Sequence, residues 1–180
     1  MRPWVQSSLL HCMLGELSVL QGSVEVSGTI AYASQEPWLS PGSIRENIIF
    51  GKKYHQKKYS EVIKVCGLEA DLQQLPQGDL TLLGDRGTTL SGGQKARINL
   101  ARYSLGPLDN AKFWTPLRRF LYLDGNVVLL DDPLNAVDAA VGKQLFDLCI
   151  RGYLRRQAVI LVTHHLQYMS AADNILVLQE

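Results

Sequence analysis

Three groups of residues in this chain have types and spacing that could do chemistry. Leu90-Ser91-Gly92-Gly93-Gln94 stands directly before a strongly helical run, Gln94 to Tyr103. Serine is a good N-cap, and glycines let backbone N–H groups approach an anion with no Cβ in the way. The start of a helix, with free N–H groups and the positive end of the dipole, is a ready phosphate site. By residue type alone the same stretch also fits a Gly-rich turn that caps a helix. The second group is Val127-Val128-Leu129-Leu130-Asp131-Asp132-Pro133, an apolar run ending in two carboxylates. The third is Ala158-Val159-Ile160-Leu161-Val162-Thr163-His164, an apolar run ending in an imidazole. Taken singly, the two acids could cap a turn before Pro133, and the histidine could be a satisfied core residue.

The elements that must position these groups alternate between helix and strand. Ser7 to Leu14 reads as a helix with Leu9, Leu10, Met13 and Leu14 on its buried face. Ser23 to Val26 and Thr29 to Ala33 are short β-rich runs around the Ser27-Gly28 turn signal. Gln56 to Cys66 and Leu68 to Leu75 predict two short helices, separated by Gly67 and closed before Pro76. Lys52, Lys53, Lys57 and Lys58 fit a solvated helix face better than a phosphate patch. Asp79 to Gly87 leads as a loop into the helix after Ser91. Val127 to Leu130 is apolar without a break, as a strand buried on both faces should be. Val141 to Tyr153 predicts a helix with Leu145, Phe146, Leu148 and Cys149 inward, and Ala158 to Val162 and Ile175 to Leu178 predict two more strands. The alternation implies an α/β fold with a mostly parallel sheet and helices on both faces. Such sheets hold ligands at the carboxyl ends of their strands, where Asp131 and His164 stand.

Length and composition bound the rest. The chain has 180 residues, 46% of them apolar, enough for one domain with a real core. Its 18 basic and 17 acidic residues leave a formal charge of +1 without a long single-sign block, which argues against a nucleic-acid surface. Three cysteines, Cys12, Cys66 and Cys149, are widely spaced and odd in number, with no disulfide or zinc pattern. They suit a reducing interior. No apolar run approaches the roughly 20 residues that span a bilayer, and Ser7 to Leu14 is too short and mixed for a signal peptide. By itself the chain is expected to be soluble and cytoplasmic, without direct membrane insertion.

The order of a Ser-Gly-Gly signature, a strand with acids and a strand with histidine resembles the nucleotide-binding domain of an ABC transporter. With Tyr32 to Gly51 (YASQEPWLSPGSIRENIIFG) and Asp79 to Arg102 (DLTLLGDRGTTLSGGQKARINLAR), the resemblance narrows to the C subfamily. It covers most of Ser7 to Glu180 apart from one interior block. It implies a P-loop NTPase-like fold with a helical signature subdomain over residues 52–103. It also implies ATP and Mg²⁺ as ligands and an ATPase coupled to export of organic anions and xenobiotics through a membrane channel that lies elsewhere. The partners implied are transmembrane domains and a second nucleotide-binding domain, at the cytoplasmic face of a plasma membrane.

Carried over residue by residue, Ser7 and Ser8 fit the end of the phosphate-binding loop, with Ser7 on Mg²⁺. Gln35 fits the Q-loop, reaching Mg²⁺ or the attacking water. Asp131 fits the strand-end Mg²⁺ ligand, Asp132 the catalytic carboxylate that polarises water, and His164 the switch histidine at the γ-phosphate. Ser91, Gly92, Gly93 and Gln94 would serve the nucleotide of the opposite domain. Asp138 fits the D-loop, and also the N-cap of the helix that follows it. His165 receives no role. Two departures stand out. Gln6 occupies the place of the loop's lysine, and Met1 to Gln6 contains no glycine. Trp4 is too close to the serines to stack on adenine. The expectation is therefore a fold incomplete at both ends, with residues 1–6 a foreign leader and phosphate binding impaired. Residues 104–126 form an atypical insertion, much longer than ordinary loops of roughly 4–6 residues. Three rival functions remain. The chain could be a non-hydrolytic module lending its signature to another domain, or a non-functional fragment. It could also be a DNA-repair or translation ATPase, which would call for a coiled coil or basic face.

Overall fold

The computed structural model describes residues 4–84, 89–105 and 126–178. Thr88, the end of the loop that leads to the signature, and most of the 104–126 insertion lie outside the described residues, as do the side chains of Trp4 and Val5.

The chain begins its described course with helix α1, Trp4–Met13, three residues earlier than the sequence predicts. Strand β1 is Thr29–Ala33. The predicted strand at Ser23 to Val26 does not form. Gly42–Ser43 (β2) pairs antiparallel with Leu82–Leu83 (β3), a ribbon too short to be legible in the sequence. Ser43 then caps α2, Ile44–Ile49, in a full capping box with Glu46. Next come α3, Gln56–Val65, and α4, Glu69–Gln74, close to their predicted limits. The signature leads into α5, Gly92–Ser104. Beyond it lie β4, Asn126–Asp131, and α6, Ala139–Leu145, which continues as a π-helical stretch, Phe146–Tyr153, before β5, Ala158–Val162.

The main sheet is parallel, in the order β1-β4-β5. Pleating divides its side chains between two helical layers. Ala33, Val128, Leu130, Val159 and Leu161 join the main core with Leu100 and Ala101 of α5 and with Phe146 and Cys149. Ile30, Val127, Leu129 and Ile160 face the other way, toward Met13 of α1, and line a cavity of about 260 Å³. Leu129 and Leu130 are both fully buried, on opposite faces. Each contributes about 1.5–3 kcal/mol by leaving water, which is why the strand is apolar from Val127 to Leu130.

Three local expectations are corrected. Of the four residues assigned to the buried face of the first helix, only Leu10 is fully buried; Leu9 and Met13 are half-covered, as is Leu14, which lies just past the end of α1. Leu148 is 45% exposed, whereas Cys149, Ile150 and Leu154 are buried. The wider i→i+5 winding, seen in the Leu154 N–H bond to the Cys149 carbonyl at 2.9 Å, turns that face away from a 3.6-residue period. Ile175 to Leu178 is not a strand: Ile175, Leu176 and Val177 are 53%, 73% and 63% exposed. An apolar run becomes a strand only when it pairs with a second segment, and this run pairs with none among the described residues.

The fold also brings together two thiols that the sequence separates. Cys66 and Cys149 are free and fully buried, with sulfurs 3.8 Å apart, and Ser104 Oγ lies 3.3 Å from Cys149. Hydrogen bonding to Cys149, reinforced by burial, pushes the Cys66 thiol up.

Candidate functional site: the carboxyl edge of the parallel sheet

Asp131 is the last residue of β4, paired in register with Val162 of β5. The ladder runs one residue further, since the Asp132 N–H donates to the Val162 carbonyl at 2.9 Å. Both carboxylates are therefore pinned by backbone at the strand ends, and both are nearly enclosed, at 4% and 8% exposure. Asp132 has φ of 46°, a left-handed conformation that costs a non-glycine residue of order 1–3 kcal/mol. That turn directs its side chain away from the strand and toward the loop after β5.

The two acids have different partners. Asp131 accepts from Ser7 Oγ at 3.0 Å and from Tyr32 Oη at 3.2 Å. Tyr32 is paired with Leu129 in register, so the pleat puts it on the same face as Asp131 two residues later. Burial, then the Asp131 charge, pushes the Tyr32 hydroxyl up to about 12, so it remains a donor at all ordinary pH. Asp132 Oδ2 lies 2.9 Å from His164 Nδ1. Its Oδ1 is buried and has no hydrogen-bond partner among the described residues. His164 is 59% exposed and so faces whatever occupies the sheet edge. Gln35 is exposed in the loop after β1, at the same carboxyl edge.

Ser7 and Ser8 lie inside α1, which begins at Trp4. Gln6 is therefore helical as well, and residues 4–6 do not form an open loop of bare N–H groups. The donors gathered around Asp131, a carboxylate and a hydroxyl, are hard oxygens of the kind Mg²⁺ takes. The residues fit the metal better than they fit a phosphate cradle.

Ser91 to Gln94 form a second locus. Ser91 Oγ accepts from the Gln94 N–H at 3.2 Å, and Gln94 Oε1 accepts from the Ser91 N–H at 2.9 Å, closing a capping box. Gln94 Nε2 donates to Asp71 Oδ1 at 3.2 Å, and Arg97 forks onto the same carboxylate at 2.7–2.9 Å. The helix start is thus held by its own neighbours, while Ser91 and Gly92 stay exposed. Gly93 lies against the loop after β4; a Cβ there would stand 3.4 Å from the Ala136 carbonyl. Asp138, at the end of that loop, caps α6 by accepting from the N–H groups of Ala140 and Val141 at 3.1 and 3.0 Å.

Two residues of this architecture escape sequence reasoning. Tyr32 looks like an ordinary strand tyrosine, and only the register aims it at Asp131. Arg102, near the end of α5, is 2% exposed. Its guanidinium donates to the Asn47 carbonyl at 2.7 Å and stacks 3.9 Å over Trp38 in the loop that starts at Gln35. An arginine so placed ties the signature helix to that loop.

Comparison with known proteins fits this geometry. A family model described as ABC transporter matches residues 6–109. ATP-binding cassette sub-family C member 4 is 53% identical over 175 residues in both mouse and human, covering 97% of this chain and 12% of theirs. ABC transporter C family member 3 of Dictyostelium discoideum is 44% identical over 174 residues, covering 97% of this chain and 11% of the relative. The chain thus spans about a tenth of the length of these relatives. Among the described residues no helix is long and apolar enough to cross a membrane. A parallel sheet with acids and an imidazole at its carboxyl edge, a capped Ser-Gly-Gly helix start, and relatives of this one kind give a single conclusion: the chain belongs to the ABC transporter family, as a nucleotide-binding domain of the C subfamily.

Proposed function

We propose that the chain binds and hydrolyses Mg-ATP as the first nucleotide-binding domain of an exporter of organic anions and xenobiotics. The observation that most supports this is the contact of Asp132 with His164, 2.9 Å across two strand ends, with Asp132 Oδ1 left without a partner. In this reading Asp132 orients and polarises the attacking water through that spare oxygen. His164 contacts the γ-phosphate and holds the carboxylate in place, and Gln35 reaches the water from its loop. Aspartate is one methylene shorter than glutamate, and a positioning error near 1 Å costs on the order of 100-fold, so turnover is slow. Ser7 and Asp131, with Gln35, would hold Mg²⁺, which when bound offsets the charge of the phosphates.

Ser8 faces the chain's own phosphates, while Ser91, Gly92, Gly93 and Gln94 serve the nucleotide of a second domain and Asp138 crosses toward it. Residues 52–103 act as the helical signature subdomain. Transmembrane domains are the other partners, at the cytoplasmic face of the plasma membrane. The chain's own affinity for ATP is impaired: Gln6 stands where the lysine belongs, and each missing charge-assisted bond is worth about 1.5–3 kcal/mol. The exposed signature beside that poor cradle favours a second reading, a non-hydrolytic module that completes another domain's site.

Titration calorimetry with Mg-ATP tests both, beside a version with residues 1–6 replaced by a glycine-rich loop ending in lysine. The replaced version is expected to bind and, with a second nucleotide-binding domain present, to hydrolyse. Asp132→Asn should then cut hydrolysis by about 100-fold or more. Equal ATP binding by both versions, or full activity in Asp132→Asn, overturns the corresponding step. Hydrolysis that stays absent in the replaced version, with association to the second domain intact, favours the module.

A further inference from the structure

At the sheet edge His165, which has no role in the ATP chemistry proposed above, stands beside Asp132 and His164. One donor atom each from Asp132, His164 and His165 lie within 4.8 Å of one another. The two imidazole rings are 4.1 Å apart, tilted by 32°. His165 is held by its backbone, whose N–H donates to Thr163 Oγ1 at 3.1 Å, and by Tyr168, edge-on to its ring at 5.9 Å. Asp132 is nine-tenths buried, and its Oδ1 is the only buried side-chain oxygen or nitrogen without a hydrogen-bond partner among the described residues. A carboxylate held in this state, with one oxygen on an imidazole and the other without a partner among the described residues, has an oxygen that a cation can take.

We propose that Asp132, His164 and His165 bind a divalent transition-metal ion, with Zn²⁺ the best match. Two imidazoles and one carboxylate form a borderline donor set that favours zinc and its neighbours over Mg²⁺, which prefers oxygen alone. Zinc bonds of about 2.0–2.2 Å require donors closer together than 4.8 Å, and the exposed His164 ring can supply the movement by rotating. Three protein ligands leave one position for water. The site is separate in its ligands from the oxygen set of Ser7 and Asp131. Its consequence for hydrolysis rests on the function proposed above: zinc would take Asp132 and His164 out of their roles toward water and phosphate, and so inhibit.

The test needs no ATP and uses the full chain. Zn²⁺ titrated calorimetrically should bind one to one, and Co²⁺ in its place should give the visible absorption of a low-coordinate site. His165→Ala and Asp132→Asn should each weaken binding by roughly 10- to 100-fold or more, while Mg²⁺ competes poorly. A second measurement avoids variants: Zn²⁺ should protect His164 and His165 from acylation by diethyl pyrocarbonate, mapped by mass spectrometry, and leave His11 and His55 reactive. Absence of zinc binding to the folded chain, or equal protection of all four histidines, overturns the proposal. So does unchanged affinity in both variants. Because each readout is metal binding alone, failure of the ATPase reading leaves this result standing, and the reverse.

Discussion

Replacing Arg102 should unfasten the signature helix from the loop that carries Gln35. Arg102 is 2% exposed. Its Nε donates to the Asn47 carbonyl at 2.7 Å, and its terminal nitrogens donate to the side-chain oxygens of Asn47 and Asn99 at 3.1 and 3.3 Å. The guanidinium lies 3.9 Å from the Trp38 ring centre and 5.1 Å from that of Phe50. Asn47 Oδ1 also accepts from the Ser40 N–H at 2.8 Å, so losing arginine does not orphan that atom. The backbone carbonyl loses a charged donor, worth about 1.5–3 kcal/mol. Loss of stacking over the rings adds about 1 kcal/mol, since Trp38 is part-exposed. Arg102→Ala should therefore cost about 3 kcal/mol, and Arg102→Lys, which keeps charge but loses the planar fork, about 1–2 kcal/mol. For a domain of this size the alanine variant would melt about 6–12 °C lower. Urea unfolding of both variants, and a double-mutant cycle with Trp38→Ala, measures each part. A loss below about 1 kcal/mol in Arg102→Ala, or zero coupling to Trp38, refutes the reasoning.

The pH dependence of α2 follows from Glu46, whose carboxyl sits below its ordinary value because the Ser43 backbone N–H and hydroxyl donate to it. A lowered value means that its stabilisation is present above the ordinary carboxylate range and disappears as pH falls through the folded value. The melting difference between the chain and Glu46→Gln should hold from pH 7 to 5 and vanish toward pH 3; a constant difference would contradict the capping box. Asp138→Ala removes both acceptor contacts at the start of α6 and should cost about 1 kcal/mol, read by urea unfolding. Gly92→Ala should leave the isolated chain as stable as before, or up to about 1 kcal/mol more stable, since a Cβ there meets nothing within 4 Å. The same variant should weaken ATP-dependent association with a second nucleotide-binding domain; unfolding of the variant alone would show that the glycine serves this chain instead.

Much of the site could be read from the residues because its parts depend on local rules. Ser91 and Gln94 stand at the spacing of a capping box, and the structure closes one there. The unbroken apolar run before Asp131 is a strand enclosed on both sides, which fixes an acid at its end. Asp138 lies where an N-cap belongs and serves as one. Other features depend on partners distant in the chain, and no local pattern encodes them. Register alone turns Tyr32 toward Asp131, 99 residues away, and backbone pairing between β4 and β5 brings Asp132 to His164. Cys66 and Cys149 meet only because α3 packs on the helix after α6. Ile175 to Val177 has the composition of a strand, yet a strand is a relation between two segments, and this one lies exposed. The sequence determined which residues could cap, end a strand or carry charge, since those choices act within a few residues. The tertiary structure decided which of them meet, because hydrogen bonds and burial between distant segments exist only once the sheet has set its order and register.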